Sequence, residues 1–302
     1  MPRRRVSGIL LLDKPLGITS NRALQSAKRL YRAEKAGHAG TLDPLASGLL
    51  PVLLGDATRF SGYLLDAPKG YEAEIQLGAT TTTSDAEGAV LKRRAVSASA
   101  DEAAAILKRF LGPQTQVPPM HSALKREGTP LYVLARRGES VERKPRDIVI
   151  SGLDLLAFEG DRLTVRVACS KGTYVRTLAE DIGEALGCGA HLRGLRRTGT
   201  GPFGIGEAVT LDELAAMTEP ERDARLAPAD RVLAQLPRVE LDPEVESRFC
   251  HGQVVTVEGL VSGTCRVYGL DGRFVGLGES GGEGRLAPKR LLSERNEATP
   301  TG

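Results

Sequence analysis

The segment from Gly37 to Leu50 reads GHAGTLDPLASGLL, and it sets one carboxylate, Asp43, among glycines 37, 40 and 48 and the proline at 44. A loop framed in this way presents a single side chain. A carboxylate so presented can act as a nucleophile or as a base. The same residues also spell an Asp-Pro turn in which Asp43 accepts backbone hydrogen bonds. Spacing alone leaves both readings open. Gly199, Gly201 and Gly204 match G-x-G-x-x-G, but Pro202 interrupts the run. With no strand expected to lead into it and no helix to open directly after it, a dinucleotide site is not expected. Ser122 and Lys125 match S-x-x-K without the S-D-N and K-T-G companions that chemistry needs. No G-K-[ST] loop and no H-E-x-x-H is present, and His38, His121, His191 and His251 are far apart in sequence, so nucleotide hydrolysis and zinc catalysis lose support.

The formal charge is only +3, yet 31 of the 41 basic residues are arginine, the side chain best suited to paired hydrogen bonds with phosphate. The charge is also unevenly placed. Residues 1–36 carry nine basic and two acidic side chains, and residues 125–146 carry seven and three, which makes these two segments the candidate electrostatic footprint for a polyanion. Each is also readable as a solvated face. Cys169, Cys188, Cys250 and Cys265 form no C-x-x-C pair, which points to a reducing, cytoplasmic setting. Asp13 and Lys14 cut the first apolar stretch short of a membrane span.

These residues need elements to hold them. Gly8 to Leu12 reads as a buried strand ending at Asp13-Lys14-Pro15. A helix capped by Ser20 follows, with Ala23, Leu24, Ala27 and Leu30 as its apolar stripe. Tyr71 to Leu77 alternates as a strand, and capping boxes at Ser99/Glu102 and Thr210/Glu213 open two further helices. Leu131 to Arg137 and Val175 to Leu186 read as helices. Asp147 to Phe158 and Arg162 to Cys169 read as a strand pair with Leu163, Val165, Val167 and Cys169 on one face. Strands and helices do not alternate regularly, so an α+β domain with a mixed, mainly antiparallel sheet is expected over residues 1–236. Short β-type runs at Val254 to Val257, Cys265 to Tyr268 and Phe274 to Leu277 predict a small barrel-like domain over residues 237–302, with a flexible C-terminal tail.

Taken together, GILLLDKPLGITS at 8–20 and the Asp43 loop resemble the active-site segment of the bacterial tRNA pseudouridine-55 synthases, the TruB family. Further matches follow in that family's order: KGYEAEIQLG at 69–78, SDAEG at 84–88, VPPMHSALKREGTPLYVLARRG at 117–138, ERKPR at 142–146, CSKGTYVRTLAEDIGEALG at 169–187 and AHLRGLRRTGTGPF at 190–203. The tail resembles the family's PUA-type RNA-binding module more loosely. The resemblance implies a pseudouridine synthase fold and the isomerisation of uridine 55 in the T loop of tRNA, with the base flipped out of its stack and no cofactor. It implies that Asp43 is catalytic, that Arg176 pairs with it, and that Tyr71 lies against the target base. It further implies that His38 supports the flipped-out loop, that Asp13 and Lys14 shape the site wall, and that Asp85 belongs to a threonine-rich substrate-binding loop. Arg136, Arg137 and Arg143, with a second cluster of Arg193, Arg196 and Arg197, are expected to hold RNA phosphates. The expected partner is tRNA, met by a cytoplasmic monomer. Two alternatives stand beside this reading: an RNA chaperone that refolds tRNA, and the catalytic subunit of a guide-RNA particle.

Overall fold

The computed structural model describes residues 2–122, 124–126, 128–139 and 141–292, and for residues 125, 130, 132 and 136 the backbone alone. The side chain of Arg136 and the expected flexible tail from residue 293 onward therefore lie outside the described residues.

The run GILLLDK forms the strand Gly8–Lys14, and its pleat sends successive leucines to opposite faces. Ile9 and Leu11 join one core with Leu49, Leu53 and Phe60, while Leu10 and Leu12 join another with Ala23, Leu50 and Val52. A strand covered on both sides has no need of polar alternation, which is why this one reads as a continuous apolar run. Its antiparallel neighbour is Ala46–Leu54, in register from Gly8 opposite Leu54 to Lys14 opposite Gly48. The glycine-framed loop is thus the entry to a buried strand, a strand that its glycines and proline concealed in the sequence.

Among the described residues ten strands form one sheet. Its main path runs Leu226–Ala227, Gly8–Lys14, Ala46–Leu54, Ala190–Thr200, Lys69–Leu77, Arg162–Cys169, Arg146–Glu159 and Gly112–Gln116. The pairing of Ala46–Leu54 with Ala190–Thr200 is parallel and the others on that path are antiparallel, so the sheet is mixed and mainly antiparallel as expected. Helix Val175–Ala185 lies on it, burying Val175, Leu178, Ala179 and Ile182 against Leu163, Val165 and Val167. Gly183 permits this closeness, since a Cβ there would sit 2.2 Å from the backbone nitrogen of Ala190.

Two local expectations are corrected. The cap of helix Ser20–Leu30 is Thr19, whose hydroxyl accepts from the Arg22 amide at 3.1 Å, because Thr19 holds the extended backbone a cap requires. A strand does lead into the glycine motif: Ala190–Thr200 runs up to it and folds back in a hairpin, with Gly199 opposite Gly204 and Thr200 opposite Phe203. The motif is a turn whose glycine at 201 takes a φ of 54°. Both expected capping boxes form.

A second sheet orders Arg238–Leu241, Gly263–Gly269, Phe274–Ser280, Arg285–Leu291 and Val255–Thr256, with Phe249 of helix Pro243–Cys250 buried against it. It meets the first through Phe274, whose ring centroid lies 5.7 Å from that of Phe60, through Leu277 in the Ile9 core, and through the Tyr268 hydroxyl, which donates to Asp230 Oδ2 at 2.6 Å.

Candidate active site

The loop of residues 39–45 joins the short strand Ala36–His38 to Ala46–Leu54, and backbone and hydroxyl bonds fix it from three directions. The buried Ser20 hydroxyl accepts from the Leu42 amide at 2.7 Å and donates to the Leu42 carbonyl at 2.9 Å. The Gly17 amide donates to the Pro44 carbonyl at 2.9 Å, and the Ala46 amide to the Asp43 carbonyl at 3.0 Å. Arg197 donates through Nη2 to the Gly40 carbonyl at 3.1 Å. The segments DKPLGITS and GHAGTLDP, separate in sequence, therefore form one scaffold. Asp43 projects from it with its side chain half exposed, and no described hydrogen bond from the loop's backbone ends on its carboxylate.

Arg176 sits in the first turn of helix Val175–Ala185, buried on the sheet face of that helix. Its Nη2 lies 3.2 Å from Asp43 Oδ2, and its Nη1 lies 3.1 Å from Asp85 Oδ2. Nη2 also donates to the His121 carbonyl at 2.6 Å. One planar guanidinium thus spans two carboxylates, one open to solvent and one almost wholly buried. Asp85 is fixed further by donors from the Thr83 hydroxyl and the Glu87 amide. That placement corrects the expectation that Asp85 binds substrate: it stands behind Arg176, out of reach of a ligand.

A cleft of about 190 Å³ opens over this pair, lined by Thr41, Leu42, Asp43, Tyr71, Leu195 and Arg176, with Ser122 and Thr173 to Val175 closing it. It has room for one heterocycle beside the carboxylate. Aliphatic and aromatic walls flank the carboxylate, and the Arg176 guanidinium lies on its other side. A larger cleft of about 780 Å³, lined by Tyr63, Pro202, Gln235 and Arg290 among others, contains none of these residues.

Charge beneath the cleft is positive. Lys14 is fully buried, donates to the carbonyls of Pro15 at 2.9 Å and Ile18 at 2.8 Å, and is pushed down to about 8 by burial, with Asp43 opposing the shift and Arg197 adding to it. Burial and the nearby Arg197 also lower His38, whose Nδ1 has no partner among the described residues. Burial raises the Tyr71 phenol, and Arg197 works against that rise.

The expected arginine cluster is divided. Arg196 forms a two-pronged pair with Asp13, Nη2 to Oδ2 at 2.6 Å and Nη1 to Oδ1 at 3.1 Å, and neither side chain lines the cleft. Arg193 is exposed beside Gln76 and Glu74. Arg197 instead turns inward, is 1% exposed, and cannot meet a phosphate. Arg137 is exposed, and Arg143 is half-buried with Nη1 donating to the Pro118 carbonyl at 3.1 Å. The sequence reading missed Leu195, Thr41, Thr173 and Tyr174 as lining residues. They carry no charge and no motif of their own, and their place in the site is set only by the sheet order.

Residues 28–175 match the family described as TruB family pseudouridylate synthase, N terminal domain. Residues 176–234 match the tRNA pseudouridylate synthase B C-terminal domain, and residues 237–292 match the C-terminal region of pseudouridine synthase II TruB. The chain is 56% identical over 299 residues to the tRNA pseudouridine synthase B of Burkholderia mallei (strain NCTC 10247), covering 97% of this chain and 99% of that one. It is 54% identical over 289 residues to the protein of the same name from Dechloromonas aromatica (strain RCB), covering 96% of each. Among solved structures it is similar to an archaeal box H/ACA sRNP Nop10-Cbf5 complex, with a TM-score of 0.71 and 27% identity over 96% of this chain and 87% of that one.

Proposed function

Because the chain belongs to the TruB family of pseudouridylate synthases and isomerises uridine in tRNA, we propose that its target is uridine 55 of the T loop and that Asp43 carries the reaction. The observation that carries this reading is the Asp43–Arg176 pair at the mouth of a cleft sized for one base. The reaction breaks the bond from ribose C1′ to the base nitrogen N1, turns the base, and rejoins it through carbon C5, whose proton passes to water while N1 takes up a proton. Asp43 acts at the sugar or base as nucleophile or base, Arg176 pairs with its carboxylate and holds it in place, and Tyr71 stacks on the turned-out base with its hydroxyl available for proton transfer. Composition is conserved, so the residues need no group carrier or redox partner.

RNA is held from outside the cleft. Arg137, Arg143, Arg193 and the segment around residues 125–146 supply phosphate contacts that offset the cost of unstacking the base, a few kcal/mol. His38 supports the flipped-out loop, and Lys14, buried beneath, shapes the site wall. The chain acts as a cytoplasmic monomer in this reading. No helix among the described residues is long and apolar enough to cross a membrane. Residues 1–236 form the catalytic domain and 237–302 a PUA-type RNA-binding domain. A chain ending at Leu236 that folds and still turns over saturating tRNA is the expected outcome, and folded but inactive protein would reject that division. Whole-chain identity of 56% to a tRNA enzyme supports this reading over a guide-RNA subunit, which the 27% likeness suggests more weakly.

The test uses unmodified tRNA tritiated at uridine C5 and measures release to water. Release should occur with tRNA carrying uridine at position 55 and vanish when that uridine alone is replaced by cytidine. Undiminished release from the replaced tRNA would move the target elsewhere.

A further inference from the structure

Arg176 sits in the first turn of helix Val175–Ala185, yet Tyr174, the residue at which that helix begins, caps it with no side-chain bond. A helix start left to itself frays, because its first amides have no partner within the helix. Here the bonding comes from another element. The carboxamide of Gln116, at the end of strand Gly112–Gln116, accepts from the Tyr174 amide at 3.0 Å and donates to the Tyr174 carbonyl at 3.3 Å. That carbonyl also accepts the first bond of the helix, from the Leu178 amide at 3.1 Å.

Gln116 is 3% exposed, and it is the one fully buried residue of its strand. A buried carboxamide costs free energy unless both its ends are bonded, and Tyr174 alone meets both. Gln116 thus pairs with Tyr174 as the backbone of a neighbouring strand would, and fixes where the helix starts.

The same segment reaches Arg176 a second time. Five residues on, the His121 carbonyl accepts from Arg176 Nη2 at 2.6 Å, and Ser122 closes the cleft. Between these contacts lie Pro118 and Pro119, whose rings each lock one backbone angle and stiffen the segment. One short stretch of chain therefore grips the backbone of the helix start at one end and the guanidinium of Arg176 at the other. Thr173 and Tyr174, which close the cleft on that side, are held by the same clamp.

We propose that Gln116 is a positioning residue for the reaction: by clamping the backbone of Tyr174 it sets the place from which Arg176 reaches Asp43. The inference rests on the reading of Asp43 and Arg176 given above. Gln116 does not line the cleft and is buried away from RNA, so its effect falls on the rate with tRNA bound and not on affinity.

The test uses two variants. Gln116→Met keeps the length of the side chain and removes both bonds, whereas Gln116→Asn keeps the carboxamide but is one methylene too short to hold both bonds at once. Each is measured by tritium release in single turnover with saturating tRNA, alone and combined with Arg176→Lys. Gln116→Met should slow release by roughly 10- to 100-fold, the scale of a misplacement of up to about 1 Å, with tRNA affinity within about twofold of wild type. In the Arg176→Lys background, where the fork between the two carboxylates is already gone, the same substitution should cost less than about threefold. Losses that multiply in full would show that Gln116 does not act through Arg176, and they overturn the inference. So does a wild-type rate in folded Gln116→Met, or a loss that saturating tRNA removes. Should Gln116→Met not fold, Gln116→Asn carries the same cycle: a smaller loss that vanishes in Arg176→Lys supports the inference, and a wild-type rate or full multiplication contradicts it. If Asp43→Asn turns over normally, the reading of Asp43 fails and this inference with it. If Asp43→Asn is inactive while folded Gln116 variants match wild type, only the role of Gln116 fails.

Discussion

Arg176 Nη1 lies 3.1 Å from Asp85 Oδ2, and the two side chains are only 10% and 3% exposed. The bond that fixes the arginine is thus made on the side away from the cleft. Because Asp85 satisfies the buried half of the guanidinium, the other half can face Asp43 without the whole group drifting toward solvent. Asp43 then meets a cation already in place, and needs no reorganisation when a base enters.

Removing that anchor should damage stability and rate together. Breaking a buried ion pair by deleting one partner costs about 3–5 kcal/mol, because the surviving charge is left uncompensated. Asp85→Ala is expected to lower the melting temperature by roughly 10 °C and to slow single turnover even at temperatures where the variant is folded. Calorimetry with a quench-flow assay checks both. A variant that melts early but reacts at the wild-type rate would show that Arg176 does not depend on Asp85 for its position.

Lys14 gives the protein a pH signature. Its folded pKa is lowered from 10.5 to about 8, so across that interval the unfolded chain holds a proton that the folded chain has lost. Stability must rise with pH through this window, and below about pH 8 both states are charged and the penalty is constant. Lys14→Met removes the titration while Lys69 and the tyrosines remain. The stability gap between variant and wild type should therefore shift in favour of wild type as pH climbs from 8 toward 10.5. A gap that does not change across that range means that Lys14 keeps its proton when folded.

Salt dependence separates the surface arginines from the buried one. Each phosphate neutralised contributes about 0.7–0.9 to the slope of log affinity against log salt. Arg137→Ala and Arg193→Ala, both at exposed positions, should each flatten the slope by about that amount. Arg197→Met should leave it unchanged, since a 1% exposed side chain releases no counter-ions on binding. Equal slopes for all three would remove the exposed arginines from the RNA face.

What the sequence revealed depended on how regularly each element repeats. Gly8–Lys14 and Arg162–Cys169 were readable because their apolar residues mark buried faces without interruption. The central strand Ala190–Thr200 was not. It carries three arginines and two glycines, and bulges at Leu192/Gly194 and Arg197/Gly199 break its alternation. Without a fixed period of two, Arg193, Arg196 and Arg197 read as one basic patch, whereas the structure turns Arg197 inward. Arg285–Leu291 was missed for a similar reason, since its lysine, arginines and Pro288 break the apolar alternation of a strand. The Asp43–Arg176 contact was expected through family resemblance. No local pattern links a loop carboxylate to a distant helix start, and nothing in SDAEG signals that Asp85 lies behind the arginine.

The Asp43 carboxylate decides between a chemical role and a turn-forming one. The loop is held by Ser20 on both backbone groups of Leu42, by Gly17 on Pro44, and by the Ala46 amide on the Asp43 carbonyl. None of these bonds uses the Asp43 side chain, which is 51% exposed. Asp43→Asn keeps the shape of the side chain and removes its charge, leaving a group that can act neither as nucleophile nor as base. Folding should survive, with a melting temperature near that of wild type, since Arg176 retains Asp85 as its buried partner. RNA binding should survive as well, because the arginines proposed to meet phosphate, Arg137, Arg143 and Arg193, do not line the cleft. The rate of tritium release in single turnover at saturating tRNA should fall by several orders of magnitude, each factor of ten reflecting about 1.36 kcal/mol of lost transition-state stabilisation. A turn-forming aspartate would behave differently: rate and melting temperature would decline in step, and modestly. The chemical role is abandoned if Asp43→Asn melts normally and still releases tritium within about tenfold of wild type, a loss too small for the group that carries the reaction.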